Sequence, residues 1–160
     1  MLIRQVVSIL VLPFAVTVVV PLWIARRSSI VLTAPRGFFS IGMWATGLVL
    51  AIAGLSLFCW SLYLFWIEGR GTLAPWDPPR RFVVSGPYRF VRNPMITGVA
   101  LLLVAEACIL RSTAHAEWAG LFALVNAIYI PLVEEPMLHA RFGDPYAEYT
   151  RRVRRFLPRL

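Results

Sequence analysis

Arg92, Asn93 and Pro94 form the first of three groups whose residue types could do chemistry. Asparagine is a strong N-cap and proline is favoured at the first helical position, so the triplet predicts the start of a helix. A helix N-terminus presents unpaired N–H groups and partial positive charge to an anion. With Arg89 and Arg92 beside it, this helix start could bind a carboxylate or a phosphate. Alternatively, it is a simple cap whose arginines contact lipid phosphates.

Glu134 and Glu135 form the second group, at the end of a long apolar block. Two adjacent carboxylates at the edge of a hydrocarbon layer are costly unless they are paired or hydrated. They also lie at a helix C-terminus, which carries negative partial charge. A cationic or hydroxyl-rich ligand between these acids and the helix start at Pro94 would compensate both. The alternative is a solvated helix end paired with arginines of the C-terminal tail.

Glu106 is the third candidate, because an acid inside an apolar block is a candidate functional residue by default. Pairing with Arg111, or extension of the side chain to the nearer interface, is the interpretation we favour. Cys59 and Cys108 lie in apolar blocks, and their spacing is typical of neither a zinc site nor a redox pair. No metal site is predicted, and the isolated His115 is assigned no role.

Apolar blocks long enough to cross a bilayer position these groups. The chain is 59% hydrophobic and 15% charged, whereas soluble domains average about 45–50% apolar and about 25% charged residues. Four blocks predict transmembrane helices, at about residues 3–24, 38–67, 94–110 and 118–133. The last two are joined by a turn of a few residues, 111–116, and form a helical hairpin. The predicted fold is therefore an all-α integral membrane protein with about four spans.

The polar segments that remain are a central loop and a C-terminal tail. Prolines and arginines exclude a continuous helix over residues 68–93, but the aromatic and β-branched residues there favour an ordered loop over a disordered linker. In the tail, Asp144 as N-cap and Pro145 as first helical residue predict a helix. One side of that helix carries Tyr146, Tyr149, Val153 and Phe156. With arginines over most of the rest, it is predicted to be amphipathic and to lie at the membrane interface.

The charge distribution predicts the orientation in the membrane. The net charge is +8 and all sixteen basic residues are arginines. Twelve of them lie at the N-terminus, in the loop or in the tail, against four on the other side of the predicted spans. The positive-inside bias then places loop 68–93 and both termini in the cytoplasm. Because the arginines flank apolar blocks, we expect lipid headgroups rather than nucleic acid as their partners. The absence of lysine suggests a bacterial, high-GC source and hence an inner membrane.

Three motifs in order carry a family resemblance. They are the run SGPYRFVRNPMITG at residues 85–98, the Glu-Glu pair that closes the next helix, and the tail EEPMLHARFGDPYAEYTRRVRRFLP at residues 134–158. Together they resemble the isoprenylcysteine carboxyl methyltransferase and phospholipid N-methyltransferase superfamily, from about Gly69 to the C-terminus. The resemblance implies one domain over residues 1–160. Two transmembrane helices would occupy 1–67, and the cofactor-binding loop, the hairpin and the tail would occupy 68–160.

The resemblance also implies an activity and its residues. It implies methyl transfer from S-adenosylmethionine, on the cytosolic side and without a metal, to an acceptor held in or near the lipid. The residues it implies around the cofactor are Arg80, Arg81, Phe82, Val83, Tyr88, Asn93, Pro94, Met95, Ile96, Glu134 and Glu135. Arg92 joins them on physical grounds, because the cofactor carboxylate suits the helix start beside it. The cofactor amino group or ribose hydroxyls suit the two acids.

Departures from the family pattern restrict the substrate. The family often has His at the position of Asn93 and Tyr at that of Ile96, so one polar contact to the cofactor is lost here. Ile130 stands where prenylcysteine enzymes carry an arginine for the substrate carboxylate, so a prenylcysteine is not the expected acceptor. A phospholipid amine, a small thiol and a lipid-like carboxylate remain candidates. Two other functions also stay open: an NADPH-dependent membrane reductase, and a small transporter that uses Glu106 as a proton-coupled acid.

Overall fold

The protein is described by a computed structural model that covers residues 10–30, 34–69 and 83–156. Six α-helices occur in these ranges: α1 (Val20–Arg27), α2 (Phe38–Leu64), α3 (Pro94–Leu110), α4 (Thr113–Tyr129), α5 (Glu135–Phe142) and α6 (Asp144–Arg152). Three wider π-helical segments adjoin these helices. Leu10–Val19 leads into α1, Phe65–Gly69 extends α2, and Ile130–Glu134 joins α4 to α5.

Two continuous helical stretches are long and apolar enough to cross a membrane. They are Phe38–Gly69 and Thr113–Phe142, with mean hydropathies of 2.2 and 1.5 over their most apolar windows. Only 11% of each window is buried inside the protein, so most of the side-chain surface faces outward, as lipid contact requires. Helix α3 is apolar but has only 17 residues. Of the four predicted spans, two therefore meet this criterion within the described ranges.

The hairpin between α3 and α4 is tighter than predicted. Helix α3 matches the predicted third block at both ends, but α4 begins at Thr113, several residues before the predicted start. Ser112 is its N-cap, and the Ser112 hydroxyl accepts from the His115 backbone N–H at 3.4 Å. Arg111 takes the left-handed conformation (φ 51°) that ends α3. The turn therefore consists of Arg111 and Ser112 alone.

Helices α2 and α3 pack antiparallel through small residues. Four buried small residues recur every seven positions along α2: Ser40, Gly47, Gly54 and Ser61. A Cβ atom on Gly54 would lie 2.8 Å from the Gly98 carbonyl oxygen, and one on Gly98 would lie 2.9 Å from the Gly54 carbonyl oxygen. The two backbones are therefore too close for any side chain at the crossing, a contact common between membrane helices.

The N-terminal helical segment docks on α4 through two ring nitrogens. Trp118 Nε1 donates to the Val16 carbonyl at 3.1 Å, and His115 Nε2 lies 3.2 Å from the Pro21 carbonyl. Since Pro21 has no N–H, a carbonyl one turn before it loses its intrahelical donor, and Trp118 supplies a replacement. His115 was assigned no role from the sequence, and the structure buries it as part of this contact.

The tail helix is shorter than predicted. Gly143, at φ +60°, is its N-cap, so the prediction that Asp144 would cap the helix is wrong by one position. The helix ends at Arg152, and Arg154 already forms an isolated parallel β-bridge with Val91. A glycine takes the positive φ at the cap at low cost, which leaves Asp144 as the first helical residue.

The aromatic side of the tail faces protein rather than lipid. Tyr146 and Tyr149 are only 2% and 7% exposed, and Val153 is buried with them. Their neighbours are Leu138 and Phe142 of α5. The predicted interfacial position of this side is wrong, because helical spacing of apolar residues is the same whether the face is buried in protein or in a headgroup layer.

Candidate functional site

Arg92 joins the start of α3 to the start of α5 and to the tail. Its Nη1 donates to Glu135 Oε1 at 2.9 Å. Its Nε and Nη2 donate to the carbonyl oxygens of Val153 and Thr150, both at 2.6 Å. All three guanidinium nitrogens therefore already donate to protein acceptors. This geometry favours a positioning role for Arg92 over direct contact with a bound anion.

Glu135 is held from a second direction by the tail. Arg155 Nε and Nη2 donate to its Oε1 and Oε2, both at 2.8 Å, which is a bidentate pair. Together with Arg92, two guanidinium groups neutralise this one carboxylate, whose side chain is 14% exposed. Glu135 thus fixes the tail to the helix end, as the tail-pairing alternative from the sequence predicted.

Backbone hydrogen bonds continue the same attachment. The amide of Arg92 donates to the Arg154 carbonyl at 2.9 Å, and the amide of Asn93 donates to the Arg155 carbonyl at 3.3 Å. The residues just before α3 and those just after α6 therefore run side by side. The two polar segments and the acidic helix end form one connected structure at one end of the helices.

Three buried tyrosines lie beside the acids. Tyr149 donates its hydroxyl hydrogen to the Tyr88 carbonyl oxygen at 2.6 Å. Burial raises the pKa of Tyr88 and of Tyr149 above the usual value, and the negative charge of Glu134 adds to the effect on Tyr88. Burial likewise raises the pKa of Tyr146 to about 12. All three phenols therefore stay protonated near neutral pH and are able to donate a hydrogen bond.

The first turn of α3 has the predicted positions but not the predicted side-chain cap. Asn93 is the N-cap and Pro94 the first helical residue, yet the Asn93 side chain makes no capping hydrogen bond. The backbone N–H and the hydroxyl of Thr97 both donate hydrogen bonds to the Asn93 carbonyl oxygen, each at 3.0 Å. Among the described residues, no acceptor is bound to the amides of Met95 and Ile96. These amides remain able to bind an anion.

Glu134 differs sharply from its neighbour. No arginine or histidine of the described ranges forms an ion pair with it. Its carboxylate is close enough to Tyr88 and Tyr146 for its charge to act on both phenols. It ends the π-helical segment Ile130–Glu134, in which Pro131 supplies no N–H and the turn is wider. The acidic pair is thus divided between one carboxylate that two arginines neutralise and one that has no arginine or histidine partner among the described residues.

The loop before α3 is anchored by a residue that was not predicted. Ser85 Oγ donates to Glu68 Oε2 at 2.6 Å, which ties the loop to the end of the first long helical stretch. An acid at the edge of an apolar block was the available signal for Glu68. Val83, a predicted cofactor residue, is buried in the same loop. The predicted residues 80–82 lie outside the described ranges.

Glu106 is not part of this arrangement. It lies twelve positions along α3 from Pro94, about 18 Å at the rise of an α-helix. Its Oε2 is buried, and no residue of the described ranges donates a hydrogen bond to it. Pairing with Arg111 through this oxygen is therefore absent there. The structure brings together the helix start and the acidic pair, and leaves Glu106 apart from both.

A cavity lies at the opposite end of α2 and α3 from the acidic pair. It is an open depression of about 300 Å³ lined by Phe38, Phe39, Gly42, Met43, Thr46 and Cys108. None of these side chains is charged, so the depression is suited to contact with hydrocarbon chains rather than to binding a charged cofactor. Within residues 10–30, 34–69 and 83–156, no three His, Cys, Asp or Glu side chains are grouped in a way that could hold a metal ion.

Comparisons with known proteins add one match. A family model described as phospholipid methyltransferase matches residues 43–145, well over half of the chain. The match begins in α2 and ends in α6, so it contains both the helix start at Pro94 and the acidic pair. No curated protein and no solved structure matches the chain.

Proposed function

Since this chain belongs to the phospholipid methyltransferase family and is an integral membrane protein, we propose that it transfers a methyl group from S-adenosylmethionine to a lipid-like or membrane-partitioning acceptor. The junction of the α3 start with Glu134 and Glu135, at the start of α5, supports this proposal most directly. The matched family supports neither the reductase nor the transporter that the sequence left open.

The residues at the junction suit the chemical groups of S-adenosylmethionine. Its carboxylate fits the amides of Met95 and Ile96, where positive helix-end charge is not used by a cap. Its ammonium or ribose hydroxyls fit Glu134, which no described cation neutralises. The side-chain amide of Asn93 makes no capping hydrogen bond either, so it can add a hydrogen bond to the cofactor.

The remaining predicted residues form two groups: a wall, whose side chains line the site, and a frame, whose side chains hold the surrounding segments in place. Val83, Tyr88 and Pro94 are buried beside the junction and supply an apolar wall with a phenol. Arg92 and Glu135 form the frame, because each already binds protein groups. Arg80, Arg81 and Phe82 stay as predicted cofactor contacts from the sequence resemblance.

When bound, S-adenosylmethionine supplies a methyl group on a positively charged sulfur. The contribution of the protein is to align this methyl group with the acceptor and to exclude water. A negative Glu134 near the hydrocarbon edge stabilises a cationic ligand more strongly than it would in water. Leu132 and Val133, next to it, are exposed on the outer surface of the helix. An acceptor with a hydrocarbon chain can therefore approach this acid directly from the lipid.

We also propose that the junction faces the cytoplasm of a bacterial inner membrane. The support is the distribution of arginines, twelve against four, between the two ends of the predicted spans. Two reporters fused to the C-terminus test this orientation: a green fluorescent protein, which fluoresces in the cytoplasm, and an enzyme that is active only in the periplasm. Fluorescence in the cytoplasm supports it, and a periplasmic reporter signal contradicts it.

Calorimetry of the purified protein in detergent tests cofactor binding. We expect S-adenosylmethionine to bind the wild-type protein, and Glu134→Gln to weaken binding by roughly tenfold or more, since a hydrogen bond to a charged group contributes about 1.5–3 kcal/mol. Glu117→Gln is the control, because Glu117 is exposed near the other end of the same helix. Absence of binding to wild-type protein at millimolar cofactor contradicts the proposal. Thermal shifts with NADPH would reveal the reductase instead.

A further inference from the structure

Three arginines on the face that carries the junction have no described acidic partner. Arg89, Arg151 and Arg154 are exposed, and no carboxylate of the described ranges pairs with them. Arg152, between them in sequence, pairs with Glu148 one helical turn away. Positive charge that no carboxylate of the described ranges compensates attracts anions from the surroundings.

The three arginines belong to one surface. Arg89 closes the short helical turn Gly86–Arg89, two residues before Val91. Val91 forms the parallel bridge to Arg154, and the Tyr149 hydroxyl binds the Tyr88 carbonyl. The turn and the tail are thus fixed to each other at two points. Arg151 lies between these two points along the tail.

Exposed apolar side chains accompany the arginines. Phe90, which follows Arg89, is 64% exposed, and Val84 in the same loop is 43% exposed. Guanidinium groups next to an exposed aromatic ring, at the ends of apolar helices, are typical of a surface in the headgroup layer. A soluble anion would match the charge but would leave Phe90 in water.

We propose that Arg89, Arg151 and Arg154 bind anionic lipid headgroups, and that the bound lipid holds the tail against the start of α3. The same stretch of tail provides inward contacts, because the carbonyls of Thr150 and Val153 accept from Arg92. Along this stretch, residues whose carbonyls contact Arg92 therefore alternate with arginines whose side chains are exposed. Headgroup phosphates reduce the repulsion among the outward arginines, and the inward contacts are retained.

A regulatory consequence follows, and it rests on the proposed function. The tail and the residues before α3 frame the cofactor site, so lipid that stabilises their contact also stabilises the site. S-adenosylmethionine binding should accordingly be tighter in bilayers with anionic lipid than in neutral ones. The sensing of the lipid surface and the binding of the cofactor would then be coupled through Arg92 and Glu135.

Lipid retention tests the surface without reference to cofactor. The triple variant R89Q/R151Q/R154Q is compared with R26Q/R27Q/R36Q, whose exposed arginines lie at the other end of the helices and whose charge loss is identical. Native mass spectrometry counts phosphatidylglycerol retained from nanodiscs that also contain phosphatidylcholine. We expect phosphatidylglycerol affinity on the order of a hundredfold lower in the first variant, since each arginine near an anionic surface contributes about a factor of five. The control should retain wild-type affinity.

Hydrogen exchange of residues 150–156 gives the structural readout. Phosphatidylglycerol should slow exchange there in wild-type protein and in the control, but not in R89Q/R151Q/R154Q. Equal lipid loss in both triple variants, or displacement of the lipid effect by millimolar phosphate or by an oligonucleotide, overturns the proposed surface. Unchanged tail exchange overturns the coupling. Protein that retains phosphatidylglycerol in this pattern but never binds S-adenosylmethionine contradicts the proposed function and leaves the lipid surface supported.

Discussion

Arg92 and Glu135, 43 positions apart in the sequence, meet through a 2.9 Å hydrogen bond between Nη1 and Oε1. Their side chains are 16% and 14% exposed, so the pair is largely shielded from solvent and from salt. The contact joins the residues just before α3 to the first residue of α5. This pair holds together the start of α3, with the amides of Met95 and Ile96, and the start of α5, which Glu134 directly precedes.

Removal of Arg92 should loosen the whole junction. Arg92→Gln deletes the pair with Glu135 and the bonds to two tail carbonyls, so we expect the free energy of unfolding to fall by about 2–4 kcal/mol. Thermal unfolding in neutral detergent measures this. Arg89→Gln, three residues away and exposed, should change the stability by no more than about 0.5 kcal/mol. Equal losses of stability in the two variants would mean that Arg92 contributes only its positive charge and not its specific hydrogen bonds.

The two acids should respond oppositely to neutralisation. Glu135→Gln leaves Arg92 and Arg155 without their shared carboxylate and should lower the melting temperature by several degrees, in line with the loss of about 1–2 kcal/mol in a small protein. Glu134→Gln removes a charge that no described cation compensates, so the melting temperature without ligand should hold or rise. Differential scanning fluorimetry without cofactor separates the two. A large loss of stability in Glu134→Gln would place that acid in the frame instead.

Sequence patterns predicted the elements that are local. The bounds of α3 followed from Pro94 and from the length of one apolar block, and Asn93 was correctly placed at the N-cap. The family resemblance pointed to both acids, and the hairpin placed them near the helix start. These features depend on short spacings, to which helix periodicity and capping preferences apply directly.

Contacts between distant segments were not predicted. Nothing in the order of residues distinguishes Glu134 from Glu135; their difference comes from which one Arg155 reaches. The face of Tyr146 and Tyr149 has the same spacing whether it meets lipid or protein, so its burial by the protein was missed. The burial of His115 depends on a proline on a different helix. Each of these outcomes is set by tertiary packing, which overrides the local pattern.

The glycine crossing between α2 and α3 gives a matched test of packing. Gly98→Ala would place a Cβ 2.9 Å from the Gly54 carbonyl oxygen and 2.9 Å from the Phe58 backbone nitrogen. The helices must separate to accept it, so we expect a loss of about 1–3 kcal/mol in stability. Gly120→Ala is the control, because no atom of the described residues lies within 4 Å of a Cβ there. In a helix interior this control should be neutral or stabilise by up to about 1 kcal/mol. Similar results at the two glycines would contradict the close backbone contact.

Removing a single N–H group should weaken the attachment of the N-terminal helical segment to α4. Trp118→Phe keeps an aromatic ring but removes the Nε1–H that donates to the Val16 carbonyl. A partly buried carbonyl in the helix before Pro21 then loses its donor, at a cost of about 1–3 kcal/mol. Because this bond joins the segment to the rest of the protein, we expect faster hydrogen exchange across Leu10–Val19 and little change at the tail. Trp23→Phe, on an exposed ring in α1, is the control. Exchange that accelerates equally in both variants would show that the ring N–H of Trp118 does not hold the segment.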